Sequence, residues 1–284
     1  MPYLITWLQE PDERFVKGAM GIGNNANGFH AYMNLCRMVI FVAGGKDMHW
    51  FYQEEIGQGE ILLSNTESHH ATRVLRLRKG ERIMITDGKG LLCEAQIAKA
   101  DPRATRCEVF QRHLEAPSSA TVHLAVAPTK SIDRMEWLVE KATECGVSSI
   151  TPMLCIRSER KTIKTERLKK ISVAAMKQCR RPFLPQIDEI TPFNRLAQNS
   201  GNIQKFIAWC EGEQPGPYLG RMIRPGADVL VLIGPEGDFT PDEAALAVAS
   251  GFVPVSLGPA VYRTETAGIL ACHLVQVINK LTAG

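Results

Sequence analysis

From residue 118 onwards, short apolar runs alternate with amphipathic stretches. The apolar runs have the length of buried strands, and the amphipathic stretches repeat with the period of a helix. This pattern predicts strands at 122–127, 149–154, 205–210, 229–233 and 253–257. It predicts helices at 133–145, 165–180, 241–250 and 266–281. Strands and helices in alternation favour an α/β fold in which helices cover both faces of a parallel sheet.

Two of the predicted helices carry clear end signals. Gly146 ends the helix at 133–145, whose buried face consists of Met135, Leu138, Val139, Ala142 and Cys145. Thr240 and Glu243 form a capping box at the start of the helix at 241–250, and Gly251 ends that helix. These signals define where the flanking loops lie.

Residues 48–117 show a different, β-rich pattern. Strands are predicted at 60–64, 82–86, 91–98 and 106–110, a short helix at 69–77 and a hairpin turn at 87–90. Short strands joined by tight turns imply a small barrel or sandwich. The Pro-Ser-Ser segment at 117–119 is the expected linker to the α/β part.

Within residues 1–47, the segment at 18–28 is rich in glycine and asparagine and carries little to bury, and only the run at 38–43 is typical of a strand or a short apolar patch. Residues 1–47 lack the early positive charge and the following hydrophobic core of a secretory signal. We interpret them as an extension that is poorly ordered or lies upstream of a true start at Met48. The sequence thus predicts an extension (1–47), a small β domain (48–117) and an α/β domain (118–284).

The composition narrows the function classes only slightly. The net charge of +3 is too small to indicate nucleic-acid binding by itself. The longest apolar runs fall far short of the about 20 residues that a membrane span needs. The cysteines are scattered without a CxxC pair, which is typical of reduced thiols in a cytoplasmic protein. Histidines and cysteines show no metal-ligand spacing, so no metal site is predicted.

Two glycine-bearing loops follow predicted strands near the end of the chain. Gly234 and Gly237 come after the strand at 229–233, and Gly258 comes after the strand at 253–257. The carboxyl edge of a parallel sheet is where ligands bind, and glycine lets the backbone approach them closely. A glycine turn between strand and helix is also common without a ligand, and neither loop is a Walker or GxGxxG motif. Together they predict a site that holds one small molecule mainly through backbone groups.

Polar side chains crowd the turn before the last predicted helix. Thr264 and Thr266 are candidate N-cap residues, and Glu265 in the first turn is favoured by the helix dipole. Arg263 has no such local role. It is therefore a candidate clamp for a phosphate or a carboxylate.

Basic residues form a second candidate feature. A dense run near the predicted helix at 69–77 includes His70, Arg73, Arg76 and Arg78. Further cations follow strands or helices of the α/β part, namely Lys130, Arg134, Arg157 and Arg180. Such residues are often only solvated surface. Their density next to a small β module favours contact with an RNA or DNA backbone.

Residues 232–243 and 257–267 closely resemble the RsmE family of ribosomal small-subunit RNA methyltransferases, in the SPOUT superfamily. The segment at 133–147 is similar to the central helix of that family. The segment at 69–77 is similar to its N-terminal PUA-like module, and the segment at 48–52 resembles the usual start of these proteins. The resemblance covers about residues 48–284 and leaves 1–47 unexplained.

The resemblance implies a C-terminal SPOUT-type parallel sheet with a trefoil knot and a small N-terminal PUA-like β-barrel. It implies S-adenosylmethionine (SAM) as the cofactor and a cytoplasmic homodimer. The implied activity is methylation of N3 of a uridine in the decoding region of 16S rRNA, and the implied partner is that rRNA within the small ribosomal subunit.

The resemblance also assigns site residues. The SAM-binding positions would be Leu232, Gly234, Glu236, Gly237, Leu257, Gly258, Thr264, Thr266 and Ala267. Arg263 would face the RNA or the reacting uridine and stabilise negative charge on its carbonyl oxygens. Glu265 would accept the N3 proton if it points at the base. The family often has a second glycine where this chain has Asp238, which makes the backbone there less free.

Other functions remain open at this level. A SPOUT methyltransferase acting on another RNA, such as tRNA, would share these motifs. A non-catalytic RNA-binding or ribosome-assembly protein would keep the fold. The intact Gly234, Gly237, Gly258 and Arg263 favour an enzyme instead. A nucleotide-binding oxidoreductase would need a glycine fingerprint that this chain lacks.

Overall fold

The computed structural model describes residues 48–198, 201, 203–210 and 216–282. The predicted extension at 1–47, with its apolar run, lies outside the described residues. None of the helices in the described residues is long and apolar enough to cross a membrane.

A five-stranded sheet forms the N-terminal part, in the order β1-β3-β4-β5-β2. Its strands are β1 (His49–Tyr52), β2 (Ile61–Leu62), β3 (Arg82–Thr86), β4 (Leu91–Lys99) and β5 (Arg106–Leu114). β1 pairs with β3 in parallel, and the other pairs are antiparallel. The fully buried side chains of Phe51, Ile83 and Ile85 belong to its core.

The helix predicted at 69–77 begins earlier and ends earlier than expected. Helix α1 (Asn65–His69) runs directly into a π-helical turn (His70–Val74). Its start is set by Ser64, whose hydroxyl accepts a hydrogen bond from the Glu67 backbone N–H at 3.3 Å. The prediction missed this cap because the apolar side chains lie further along the segment.

A parallel seven-stranded sheet forms the C-terminal part, in the order β12-β10-β11-β6-β7-β8, with β9 paired to β7. The strands are β6 (Val122–Val126), β7 (Ser149–Leu154), β8 (Gln186–Ile187), β9 (Thr191–Pro192), β10 (Gln204–Ala208), β11 (Val229–Ile233) and β12 (Val253–Val255). The helices are α2 (Ile132–Cys145), α3 (Thr165–Gln178), α4 (Phe193–Gln198), α5 (Leu219–Met222), α6 (Pro241–Ala249) and α7 (Thr264–Thr282).

Alternate residues of β6 enter two separate cores. Val122, Leu124 and Val126 pack in a cluster with α2 and α7, whereas Ala125 packs in another with α4 and α6. Because successive side chains of a strand point to opposite faces, the sheet is covered on both sides. This confirms the predicted layered α/β architecture.

Backbone hydrogen bonds and an ion pair join the β-rich part to the parallel-sheet part. The Leu184 backbone N–H donates to the Gly88 carbonyl at 2.8 Å, and the Gly90 N–H donates to the Pro182 carbonyl at 3.1 Å. Nearby, the Lys177 ammonium lies 2.6 Å from the Glu67 carboxylate, and both side chains are largely buried. The hairpin turn predicted at 87–90 is therefore also a docking element. The boundary between 117 and 118 stays a prediction.

Candidate active site

The site lies where β10, β11 and β12 end. Ala208 is in register with Ile233 on one side and with Val255 on the other, so the loops that follow these strands emerge together. They enclose a cavity of about 360 Å³. Its lining includes Trp209, Gly234, Glu236, Leu257, Gly258, Tyr262, Thr264 and Ala267. The two glycine loops do border one cavity at the carboxyl edge of the sheet.

Thr264 links the two loops. Its hydroxyl donates a buried hydrogen bond to the Gly234 carbonyl at 3.0 Å. Helix α7 begins at Thr264 itself, so neither Thr264 nor Thr266 precedes the helix as the predicted N-cap. The threonine hydroxyl instead fixes the separation of the two walls of the cavity.

Asp238 adopts a left-handed backbone conformation, with φ of 59°. Its carboxylate accepts from the Phe239 backbone N–H at 2.8 Å and from the Cys210 N–H at 2.9 Å. Aspartate tolerates this conformation better than most residues because its short side chain bonds locally. The chain therefore keeps the turn that a glycine would make and adds a hydrogen bond to the loop after β10.

Gly258 also has a positive φ, of 141°. A Cβ at this position would lie 3.2 Å from the Tyr262 hydroxyl. The Ser256 hydroxyl accepts from the Gly258 N–H at 3.1 Å, which holds the turn. Glycine is thus required both by the backbone and by the approach of Tyr262.

Neighbouring loops brace the first glycine loop from outside. The Glu236 carboxylate accepts from the Lys130 backbone N–H at 2.9 Å. The Arg157 guanidinium donates to the carbonyls of Gly237 and Phe239. Two residues predicted to contact RNA, Lys130 and Arg157, therefore contribute to the shape of the loop as well.

Glu265 faces away from the cavity, into an adjoining depression. Its side chain is buried, one carboxylate oxygen lies 3.8 Å from the Arg134 guanidinium, and the other has no hydrogen-bond partner in the described residues. Arg263 and Thr266 line the same depression. Of the residues after Tyr262, Arg263, Glu265 and Thr266 thus line the depression, whereas Thr264 and Ala267 line the cavity.

The structure separates the predicted SAM-binding positions into four groups. Those that line the cavity are Gly234, Glu236, Leu257, Gly258, Thr264 and Ala267. Leu232 is fully buried in the core beneath it, Gly237 is exposed on its outer side, and Thr266 lines the depression. The roles of these residues stay predictions.

The remaining predicted RNA-binding residues are far in sequence from the loops that form the cavity. Arg73, Arg76 and Arg78 are exposed on and after the π-helical turn. Burial and the nearby Lys177 ammonium lower the pKa of His70, so its imidazole adds less charge than the sequence suggests. Arg180 follows α3 in a left-handed conformation, with φ of 56°.

Trp209 and Tyr262 line the cavity but were not predicted as site residues. Trp209 directly follows β10, and its buried indole N–H has no hydrogen-bond partner in the part of the chain that the structure describes. The sequence signal that could have identified Trp209 was its position at the carboxyl end of a predicted strand of the parallel sheet. No cluster of His, Cys, Asp or Glu suited to a metal ion occurs among the described residues.

Comparison with known proteins places this site in a family. Residues 116–276 match the model of an RNA methyltransferase domain, and residues 63–110 match that of an RNA methyltransferase PUA domain. The chain is 32% identical to ribosomal RNA small subunit methyltransferase E of Aquifex aeolicus over 228 residues, which cover 78% of this chain and 95% of the relative. The chain belongs to the ribosomal RNA small subunit methyltransferase E (RsmE) family.

Solved structures agree with this family assignment. A probable rRNA-methyltransferase from Porphyromonas gingivalis is 36% identical, with a TM-score of 0.76, and the match covers 82% of this chain and 99% of that one. The RsmE protein of Neisseria gonorrhoeae, solved with bound S-adenosyl methionine, is 26% identical, with a TM-score of 0.74 and coverage of 81% and 97%. They confirm the α/β fold with an N-terminal PUA-type β module.

Proposed function

We propose that this chain is a SAM-dependent methyltransferase that modifies N3 of a uridine in the decoding region of 16S rRNA. One observation carries the proposal: the two glycine loops meet around a cavity at the carboxyl edge of the parallel sheet. Membership of the RsmE family and the SAM bound in the Neisseria relative support the choice of cofactor and RNA.

The residues of the cavity fit SAM. A volume of about 360 Å³ lies within the range of small-molecule sites. The buried Trp209 N–H lacks an acceptor that a polar ligand atom would supply. We assign the holding of SAM to the backbone at Gly234 and Gly258 and to the walls formed by Leu257 and Ala267. When bound, SAM supplies a methyl group that its sulfonium has already activated.

The protein then has to present the nucleophile and remove its proton. Uridine N3 carries a proton, so N3 can take up a methyl group only if a protein group accepts that proton. We assign Glu265 as its acceptor, because this buried glutamate lines the depression beside the cavity. We assign Arg263, which lines the same depression, to stabilise negative charge on the base's carbonyl oxygens.

We further propose that residues 48–117 bind RNA and residues 118–284 carry out catalysis. The exposed Arg73, Arg76 and Arg78 supply the charge for phosphate contacts. By analogy with the family, we expect a trefoil knot, a cytoplasmic homodimer and a substrate presented within the small ribosomal subunit.

Two measurements on the same preparation test the function. Titration calorimetry measures SAM binding, and transfer from labelled SAM is measured to unmodified small subunits and, separately, to tRNA. The proposal predicts SAM binding and transfer to small subunits. Transfer to tRNA alone would support a SPOUT enzyme for another RNA, and the absence of SAM binding would support a non-catalytic RNA-binding or assembly protein.

A further inference from the structure

Some of the residues that line the depression beside the cavity, such as Trp137, have no role in the function proposed above. It has a volume of about 620 Å³ and lies between the start of α2 and the start of α7. Arg134 and Trp137 come from α2, and Arg263 and Glu265 come from the loop and helix that follow the second glycine loop. Tyr262 lines both spaces, so the two adjoin.

Glu265 lines this depression with a carboxylate that has few hydrogen-bond donors. The residue is 5% exposed, and one of its carboxylate oxygens is buried without a partner among the described residues. Arg134 approaches the other oxygen at 3.8 Å and is itself partly exposed. A buried carboxylate with few donors is costly, so a ligand N–H that reaches it from the depression would be bound favourably.

Trp137 presents an aromatic surface to the same space. Its side chain is 44% exposed, although its helix neighbours Met135 and Leu138 are fully buried. An exposed indole at a nucleic-acid site is suited to stacking on a base, since every base offers a flat π face. The SAM cavity does not include Trp137.

We propose that this depression is the pocket for the target base, that Trp137 stacks on the ring and that Glu265 selects uracil over cytosine. The inference rests on the proposed function and extends it to substrate recognition. Uracil carries an N–H at N3 between two carbonyl oxygens, which matches a carboxylate acceptor flanked by Arg134 and Arg263. Cytosine has a lone pair at N3, which would face the carboxylate without a proton between them.

The first test compares Trp137→Ala with Trp137→Phe in methyl transfer to unmodified small subunits. Loss of stacking is expected to lower kcat/KM of the alanine variant by about 5- to 140-fold, equivalent to about 1–3 kcal/mol at 1.4 kcal/mol per tenfold. Phenylalanine keeps a stacking face and should retain most of the activity. SAM affinity by calorimetry should stay within about twofold in both variants, because Trp137 lies outside the cavity.

The second test uses binding instead of activity. Dissociation constants are measured for small subunits that carry either uridine or cytidine at the nucleotide that the enzyme methylates. The wild type should prefer uridine, and Glu265→Gln should reduce that preference, because an amide can donate to cytosine N3.

Three outcomes would overturn the base pocket while leaving the proposed function intact: an alanine variant as active as an active wild type, a phenylalanine variant as impaired as alanine, or a uridine preference that Glu265→Gln does not change. A loss of methyl-transfer activity in Trp137→Ala that is restored at higher protein concentration would also overturn the base pocket, if light scattering shows that the variant dissociates into monomers. That result would place Trp137 at a subunit interface. A wild type that binds no SAM and transfers no methyl group would overturn both proposals.

Discussion

Replacing Thr264 with valine removes the hydrogen bond between the two glycine loops and keeps the shape of the side chain. In the wild type the Thr264 hydroxyl donates to the Gly234 carbonyl at 3.0 Å, and Thr264 is 5% exposed. The variant leaves a buried carbonyl without this donor. Because the two residues are 30 positions apart, the bond holds one wall of the cavity against the other.

The size of the effect follows from the cost of an unsatisfied buried group. Leaving such a carbonyl without a donor costs about 1–3 kcal/mol. If the loops separate to let water reach it, SAM binding must bring them together again. A cost of about 1.4 kcal/mol in that step would weaken SAM binding about tenfold. We therefore expect both a lower free energy of unfolding and a higher SAM dissociation constant.

Chemical denaturation and calorimetric titration of SAM measure the two quantities. Thr264→Ser keeps the hydroxyl and should retain most of the affinity. Thr143→Val is a matched control, since it also deletes a buried threonine hydroxyl bonded to a carbonyl, here Val139 within α2 at 2.7 Å. The reasoning is refuted if Thr264→Val binds SAM as tightly as the wild type, or if Thr143→Val weakens SAM binding equally.

Three further substitutions probe packing, pH and the Asp238 turn. Gly268→Ala places a Cβ 2.9 Å from the Leu138 side chain, so denaturation should show a loss of about 1–2 kcal/mol that Leu138→Val partly restores. Burial lowers the pKa of His123 below its ordinary value of 6.5, so the unfolded state takes up a proton first as pH falls, and stability should drop below pH 6.5. Denaturation across pH 5–7.5 should show a shallower slope for His123→Asn, and an unchanged slope would contradict this assignment. Asp238→Gly relieves the strain of the left-handed backbone but removes the hydrogen bond from the Cys210 N–H, so calorimetry should show weaker SAM binding. Tighter binding would contradict this, because it would mean that the backbone strain costs more than the hydrogen bond contributes.

Elements whose contacts are local were predicted well from the sequence. The capping box of Thr240 and Glu243 is present at the start of α6, and α2 ends at Gly146 in a left-handed conformation. The strands at 149–154 and 229–233 have the predicted bounds. In each case the hydrogen bonds or the apolar period that stabilise the element lie within a few residues of each other.

Features that depend on distant contacts were not predicted. β1 is a strand because it pairs in parallel with β3, more than 30 residues away, and the two-residue strands β8 and β9 exist only through pairing with β7. The link from Thr264 to Gly234 is of the same kind. The glycine loops themselves were predictable because strand ends in a parallel sheet share an edge. Which side chains of 263–267 face the cavity and which face the depression depends on where α7 begins.

Nucleoside mass spectrometry of 16S rRNA tests the central claim most directly. Unmodified small subunits are incubated with SAM and either the wild type or Glu265→Gln, and the rRNA is digested and analysed. The proposed function predicts a single new 3-methyluridine with the wild type and little or none with the variant, while calorimetry shows that the variant still binds SAM. A methyl group on another base or another uridine atom, or no product from a wild type that binds SAM, would contradict it.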